Sequence, residues 1–343
     1  MAEIKERFHN LDFLKGLCVL FVIITHFSWK DEQRLYFLFP FWVDMAVPIF
    51  MILSGYVHSL SYKKHEINTL SDAYDLKNTI NKIIRYTIPF LVIYIVEVTL
   101  ASIEQGHLDE PIKLFYFYLQ GTRGPGSYYY PILLQFVFLF PLIYFIIKRL
   151  DFKGLILGAA INFSYEILKN AYHVDEDCYR LIIFRYIFVI AFGCYLAIGK
   201  KQIKKPVYLT CFGIGVAYII VYKFIDITPI FTKYLTGTSF LACMYVLPIA
   251  AFLISRKGIR FKPLEIIGKA SYNIYFVQMV YYEFFSDSVD KSFGYLNQFL
   301  LMFLIILVCV TIGIVFYYLE TPLTKLIITK TNQRFNTKPK LSR

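Results

Sequence analysis

Charge is scarce in this chain. Only 17% of its 343 residues are Asp, Glu, Lys or Arg, against roughly a quarter in an ordinary soluble domain. With 57% of residues apolar and 19% aromatic, a water-soluble globule is excluded. Also lacking are a phosphate-cradling glycine loop, a zinc-ligand spacing and a Gly-x-Ser-x-Gly elbow, which excludes nucleotide hydrolysis, zinc chemistry and serine hydrolysis of the familiar kinds. No metal site is expected. The six cysteines, at 18, 178, 194, 211, 243 and 309, show no metal-type spacing. Five of them fall in apolar stretches, where they read as small core residues. Cys178 lies in an expected outer loop without an evident disulfide partner. The first apolar stretch has no small-residue cleavage site and is expected to stay in the protein.

What the chain does have is apolar blocks about as long as a helix needs to cross roughly 30 Å of hydrocarbon. They predict an all-α polytopic membrane protein of about ten transmembrane helices, over approximately 11–29, 41–60, 83–103, 128–147, 154–169, 181–199, 206–223, 236–255, 270–286 and 297–319. The fifth is short and polar. Basic residues accumulate in cytoplasmic loops. With the N-terminus inside, 25 of the 36 Lys and Arg fall in inner segments, counting Arg85 at the edge of span three, and nine in outer loops. That alternation predicts both termini in the cytoplasm. The expected layout is one membrane-embedded domain: a short N-terminal tail over 1–10, a bundle over 11–319 and a basic tail over 320–343, with no appended extracytoplasmic domain expected. The net charge of +12 then faces the lipid bilayer's anionic headgroups rather than nucleic acid. The expected location is the cytoplasmic (inner) membrane, multi-pass.

Charges kept inside a span are costly and face a partner, a cavity or a substrate path. The stretch "LDFLKGLCVLFVIITHF" at 11–27 keeps Lys15 and His26. Eleven residues apart on a helix, they share a face to within about 20° and stand about 16 Å apart. Lys15 is near the cytoplasmic boundary and His26 near the outer one. Snorkelling would account for Lys15 alone, and an interfacial hydrogen bond for His26 alone. Neither accounts for the shared face. The topology places Asp44, Glu97, Glu166 and Arg185 in the same outer half, where an ion pair of Asp44 or Glu97 with Arg185 is the structural alternative to chemistry.

Seven segments, in order, carry a resemblance: "KGLCVLFVIITH" at 15–26, "VPIFMILSGYV" at 47–57, "NKIIRYTIPFLVIY" at 81–94, "SYYYPILLQFVFLFPLIY" at 127–144, "RYIFVIAFGCYLAIG" at 185–199, "IGKASYNIYFVQ" at 267–278 and "FYYLETPLTK" at 316–325. Together they resemble the membrane acyltransferase-3 family, polytopic acyl-CoA-dependent enzymes that modify bacterial cell-surface sugars. Two positions depart from the family pattern. Lys15 stands where an arginine is usual, keeping the charge without the planar fork, and Gln278 stands where many members have a second histidine.

The resemblance implies transfer of an acyl group, acetyl by family frequency, from acyl-CoA (acetyl-CoA) to a carbohydrate acceptor outside. It implies His26 as general base or acylated intermediate, with Asp44 or Glu97 orienting the imidazole. Lys15, Arg85, Ser271 and Tyr272 are the expected acyl-CoA contacts, and Tyr128, Tyr129, Glu166, Arg185 and Gln278 the expected acceptor contacts. Polysaccharide biosynthesis proteins are the expected partners. Glu320 and Pro322 are expected to end span ten. The competing classes are a transporter or flippase, which predicts internal repeats that the sequence does not display, and a non-catalytic member of a polysaccharide export system.

Overall fold

The computed structural model describes residues 2–225, 236–256 and 259–337; Lys233, expected in an outer loop, Lys257 of an inner loop and the tail from residue 338 lie outside the described residues. Every regular element among the described residues is helical. In chain order these are α1 (Ala2–His26), α2 (Asp31–Tyr36), α3 (Phe39–Trp42), α4 (Ala46–Lys64), α5 (Leu70–Ala73), α6 (Leu76–Gln105), α7 (Pro111–Gln120), α8 (Tyr129–Leu150) and α9 (Phe152–Ala171). They continue with α10 (Glu176–Leu181), α11 (Ile187–Ile198), α12 (Lys205–Lys223), α13 (Phe240–Cys243), α14 (Val246–Ser255), α15 (Lys262–Lys269), α16 (Ser271–Phe284), α17 (Ser286–Phe293) and α18 (Gln298–Thr337).

Six helical segments among the described residues are long and apolar enough to cross a membrane: His9–His26, Phe39–Lys64, Leu70–Gln105, Tyr129–Leu150, Lys205–Lys223 and Gln298–Phe335. The other four expected spans are helical but shorter or more polar. Span six is a 3-10 turn over Ile183–Tyr186 followed by α11, and span eight is split between α13 and α14. Span nine is α16, only 14 residues long. Span five, α9, carries Lys153, Glu166 and Lys169. Span ten does not end at Glu320 and Pro322 as expected, because α18 runs through Pro322 to Thr337. Proline removes one backbone donor from a helix interior, and bonds made nearby sustain this helix: Thr324 and Asn273 both donate to the Glu320 carboxylate.

The chain forms two compact units, Met1–Ile67 with Leu139–Ser271, and Asn68–Phe138 with Tyr272–Arg343. In the first, two helix pairs approach to backbone contact through reciprocal glycines. A Cβ on Gly55 would collide with the Ile190 carbonyl, and one on Gly193 with the Ile52 carbonyl, so α4 and α11 lie directly against each other. Gly16 and Gly268 do the same for α1 and α15, against the carbonyls of Leu264 and Asp12. Small residues are how membrane helices approach closely, since lipid supplies no hydrophobic drive between them. His9 contacts Glu265 at 2.5 Å, and Asn10 donates to the carbonyls of Leu253 and Arg256 at 2.9 and 2.8 Å, tying α1 to α14 and α15.

The core of the second unit is aromatic. Phe90 stacks on Tyr130 with centroids 3.5 Å apart and planes 10° apart, while the Tyr130 hydroxyl bonds Thr87 and Tyr118, each at 3.2 Å. Bulky rings with a polar tip fill a membrane protein's interior provided each hydroxyl finds a partner.

Candidate active site

The last turn of α1 ends in carbonyls that lack intrahelical donors. Two side chains from the following segment supply them: Trp29 Nε1 donates to the Ile24 carbonyl and Arg34 Nη1 to that of Thr25, both at 3.0 Å. Arg34 therefore sits at the residue before His26, and it is an electrostatic neighbour of that half-buried imidazole. Its other nitrogen, Nη2, lies 3.3 Å from Asp44 Oδ1.

Asp44 occupies a turn between α3 and α4. Pro48 stands in the first turn of α4, where its missing donor costs nothing. The apolar run is thus broken just before α4, and the break holds Asp44 at that helix's start. The backbone of Gly237 lies against its second carboxylate oxygen, and Lys223 is a further cationic neighbour. Tyr245 donates to the Pro40 carbonyl at 2.9 Å, fixing the same turn. The arrangement is a histidine at a helix end, a guanidinium beside it and a carboxylate held by that guanidinium.

Lys15 lies on the same unbroken helix as His26 and pairs with Asp12 one turn earlier, Nζ to Oδ1 3.4 Å. A second polar cluster of this unit gathers Glu166 and Arg185, each 1% exposed. Glu166 accepts from the Phe240 amide at 2.5 Å and from Asn162 at 3.3 Å. Arg185 bonds the Thr238 hydroxyl, and its guanidinium stands 4.9 and 4.7 Å from the Tyr179 and Tyr186 rings. The two charges interact electrostatically. The ion pair weighed for Asp44 with Arg185 is replaced by Asp44 with Arg34. Ser271 opens α16 at the edge of this unit.

Glu97, in the second unit, is 2% exposed. One carboxylate oxygen accepts from the Arg123 amide at 3.2 Å. Arg123 lies in the segment "GTRGPGS", residues 121–127, whose Gly121, Thr122 and Gly126 take positive φ of 79°, 85° and 90°. Buried irregular backbone needs side-chain partners for its polar groups. Besides Glu97, Gln278 donates to the Pro125 carbonyl at 3.3 Å and Tyr275 to that of Gly126 at 2.6 Å. The Arg123 guanidinium pairs with Asp109, which Lys113 also holds at 2.6 Å. Tyr129 packs on Tyr275 with centroids 4.9 Å apart, and Tyr128 precedes it, half-buried. Tyr272 donates to the Tyr86 carbonyl at 3.1 Å, the residue after the exposed Arg85. Among the described residues no group of three His, Cys, Asp or Glu is placed to hold a metal ion.

The family model described as an acyltransferase domain, acyltransferase-3, matches residues 8–319, nearly the whole chain. The chain belongs to the acyltransferase-3 family. It is a membrane acyltransferase. No curated protein and no solved structure matches it.

Within this acyltransferase-3 chain, three residues that sequence reasoning passed over hold the expected ones. Arg34 and Arg123 count as outer-loop cations by topology, yet Arg34 reaches the Thr25 carbonyl and the Asp44 carboxylate, and Arg123 donates its amide to Glu97 while its guanidinium pairs with Asp109. Asp12 pairs Lys15 at a spacing of three, a helical neighbour distance that the sequence displays. Gln278, expected at the acceptor, is 0% exposed and supports the glycine segment.

Proposed function

We propose that this protein transfers an acyl group, acetyl by family frequency, from cytoplasmic acyl-CoA to a hydroxyl of a cell-surface or exported carbohydrate at the outer side of the cytoplasmic membrane. The observation that carries the reading is the composition of α1: one unbroken helix bears Lys15 toward one end and His26 at the other, with Arg34 and Asp44 gathered at the His26 end. The helical rise separates the two by about 16 Å, comparable to an extended pantetheine arm. The orientation that goes with this reading has about ten crossings and both termini in the cytoplasm, as the distribution of lysine and arginine supports.

In the proposed reaction His26 takes the proton of the acceptor hydroxyl as its oxygen attacks the thioester carbonyl. The tetrahedral centre collapses, the carbon–sulfur bond breaks and the CoA thiolate leaves, receiving the proton that His26 holds. Arg34 carries a fixed positive charge near the developing oxyanion, a form of stabilisation that is strong where water is excluded. Asp44 sets the guanidinium in place. Lys15, Arg85, Ser271 and Tyr272 are the proposed donor contacts, with Lys15 acting on phosphate as a point charge. Tyr128, Tyr129, Glu166, Arg185 and Gln278 are the proposed acceptor contacts, and Glu97 is a further carboxylate proposed for the reaction.

Acyl-CoA binding and hydrolysis by the purified protein in detergent test the reading. The expected result is weaker binding for Lys15→Ala, and normal binding with no CoA release for His26→Ala. Full turnover by His26→Ala refutes the base assignment. A wild-type protein that binds no acyl-CoA refutes the donor.

A further inference from the structure

A cavity of about 430 Å³ lies in the first unit between the segment joining α11 to α12 and the end of α14, outside every group assigned above. Its lining is mixed. Tyr195, Tyr208 and Phe252 supply rings, and Lys201, Gln202 and Ser255 supply polar groups. The segment that forms its wall is held at two adjacent residues: Tyr195 donates its hydroxyl to the Lys201 carbonyl at 2.6 Å, and the Lys200 amide donates to Asp151 at 2.9 Å. The Asp151 carboxylate is thereby engaged with backbone.

Lys201 lines the cavity, and Lys204 and Arg256 directly follow its lining residues Ile203 and Ser255 in the chain. Lys200, Lys201, Lys204 and Lys205 fall within six residues of sequence. The Arg256 guanidinium stands 4.4 Å over the Phe252 ring, and the Arg256 carbonyl is anchored by Asn10. Beyond the cavity, α12 leaves Leu209 71% exposed and Phe212 42% exposed, and Phe252 of α14 is 52% exposed. In a membrane these side chains lie against acyl chains.

We propose that this cavity seats the headgroup of an anionic glycerophospholipid, its phosphate among Lys201, Lys204 and Arg256, its glycerol hydrogen-bonded by Gln202 and its acyl chains along Leu209, Phe212 and Phe252. Basic pockets at the edge of a helical bundle hold such headgroups because each Lys or Arg near the surface adds attraction to the lipid charge, and the apolar residues beyond the mouth extend in continuity with the bilayer. The proposal does not rest on acyl transfer.

Native mass spectrometry of the full chain, delipidated and titrated with phosphatidylglycerol or phosphatidylcholine, tests it. Wild type is expected to retain phosphatidylglycerol preferentially. The variant Lys201→Ala/Lys204→Ala is expected to lose roughly tenfold or more in that affinity, since two cations are removed. Lys291→Ala, which removes an exposed cation of α17, serves as the control for charge alone and leaves retention unchanged. Gel filtration confirms that the variants stay folded. Equal retention of the two lipids by wild type, or equal loss in the control, overturns the proposal. Binding of coenzyme A that is lost in the double variant, with no preference among lipids, reassigns the cavity to a nucleotide phosphate and overturns the lipid.

Discussion

Arg34 joins His26's helix to Asp44: one guanidinium donates to the Thr25 carbonyl at 3.0 Å and to the Asp44 carboxylate at 3.3 Å. Two separate demands meet in this side chain, capping α1 and neutralising a carboxylate in a largely apolar setting. A planar fork meets both at once, and a lysine ammonium is a single point.

Arg34→Ala is accordingly expected to lower turnover by about tenfold to a thousandfold, the range for losing one charge that stabilises a transition state. Arg34→Lys should recover only part of it. Acyl-CoA binding should stay near wild type in both, because the donor contacts lie elsewhere. The check is steady-state kinetics with kcat and KM separated; a change confined to KM for acyl-CoA contradicts this role.

Glu97 supports the segment 121–127 by accepting from the Arg123 amide. Glu97→Gln keeps an acceptor oxygen and should fold and melt close to wild type. Glu97→Leu leaves that buried amide unpaired, at a cost of about 1–3 kcal/mol. Thermal unfolding of the purified protein distinguishes them, and equal melting temperatures for the two variants argue that the amide finds another acceptor.

Asp109, in the loop before α7, has its carboxyl held below the usual carboxylate range, chiefly by the hydrogen bond from Lys113 and further by Arg123. A carboxylate whose folded pKa is depressed stabilises the folded state above its unfolded value, about 3.9. That contribution disappears as pH falls through the lower folded value. Melting temperatures followed downward from about pH 5 should therefore fall less steeply in Asp109→Asn than in wild type. Parallel curves would show that the carboxylate contributes no proton linkage.

Among the glycines, position matters more than residue type. Gly268→Val drives a side chain into the Asp12 carbonyl and should cost about 1–3 kcal/mol or prevent folding, as overpacking does. Gly213 of α12 has open space where a Cβ would go, so Gly213→Ala should be neutral or slightly stabilising. Expression level and monodispersity of the two variants in detergent provide the comparison.

These contacts explain which parts of the molecule were legible from the sequence. The helices were, because apolar blocks and charge alternation are local properties. The span boundaries were less so. The segments of spans six and eight pack inside the first unit, where α11 lies directly against α4, and a helix surrounded by protein is free to be short or broken in a way that a lipid-facing one is not. That Lys15 and His26 share one helix was legible from the apolar run that holds both. Arg34 and Arg123 were not, since a loop cation that turns back onto a carboxylate looks the same in sequence as one that points into water. The same holds for Gln278, whose partner is a backbone carbonyl 153 residues away.

The passage of α18 through Pro322 has a practical side. Forty residues of helix at 1.5 Å each extend about 60 Å, roughly twice the apolar thickness of a bilayer. Crossing perpendicular to the membrane, such a rod has about half its length outside the hydrocarbon. A pair of spectroscopic labels placed along it, one near Gln298 and one near Lys330, would work as a molecular ruler whose graduations are set by helical rise alone, and the depth at which each label meets water would read out where the membrane surface crosses the rod.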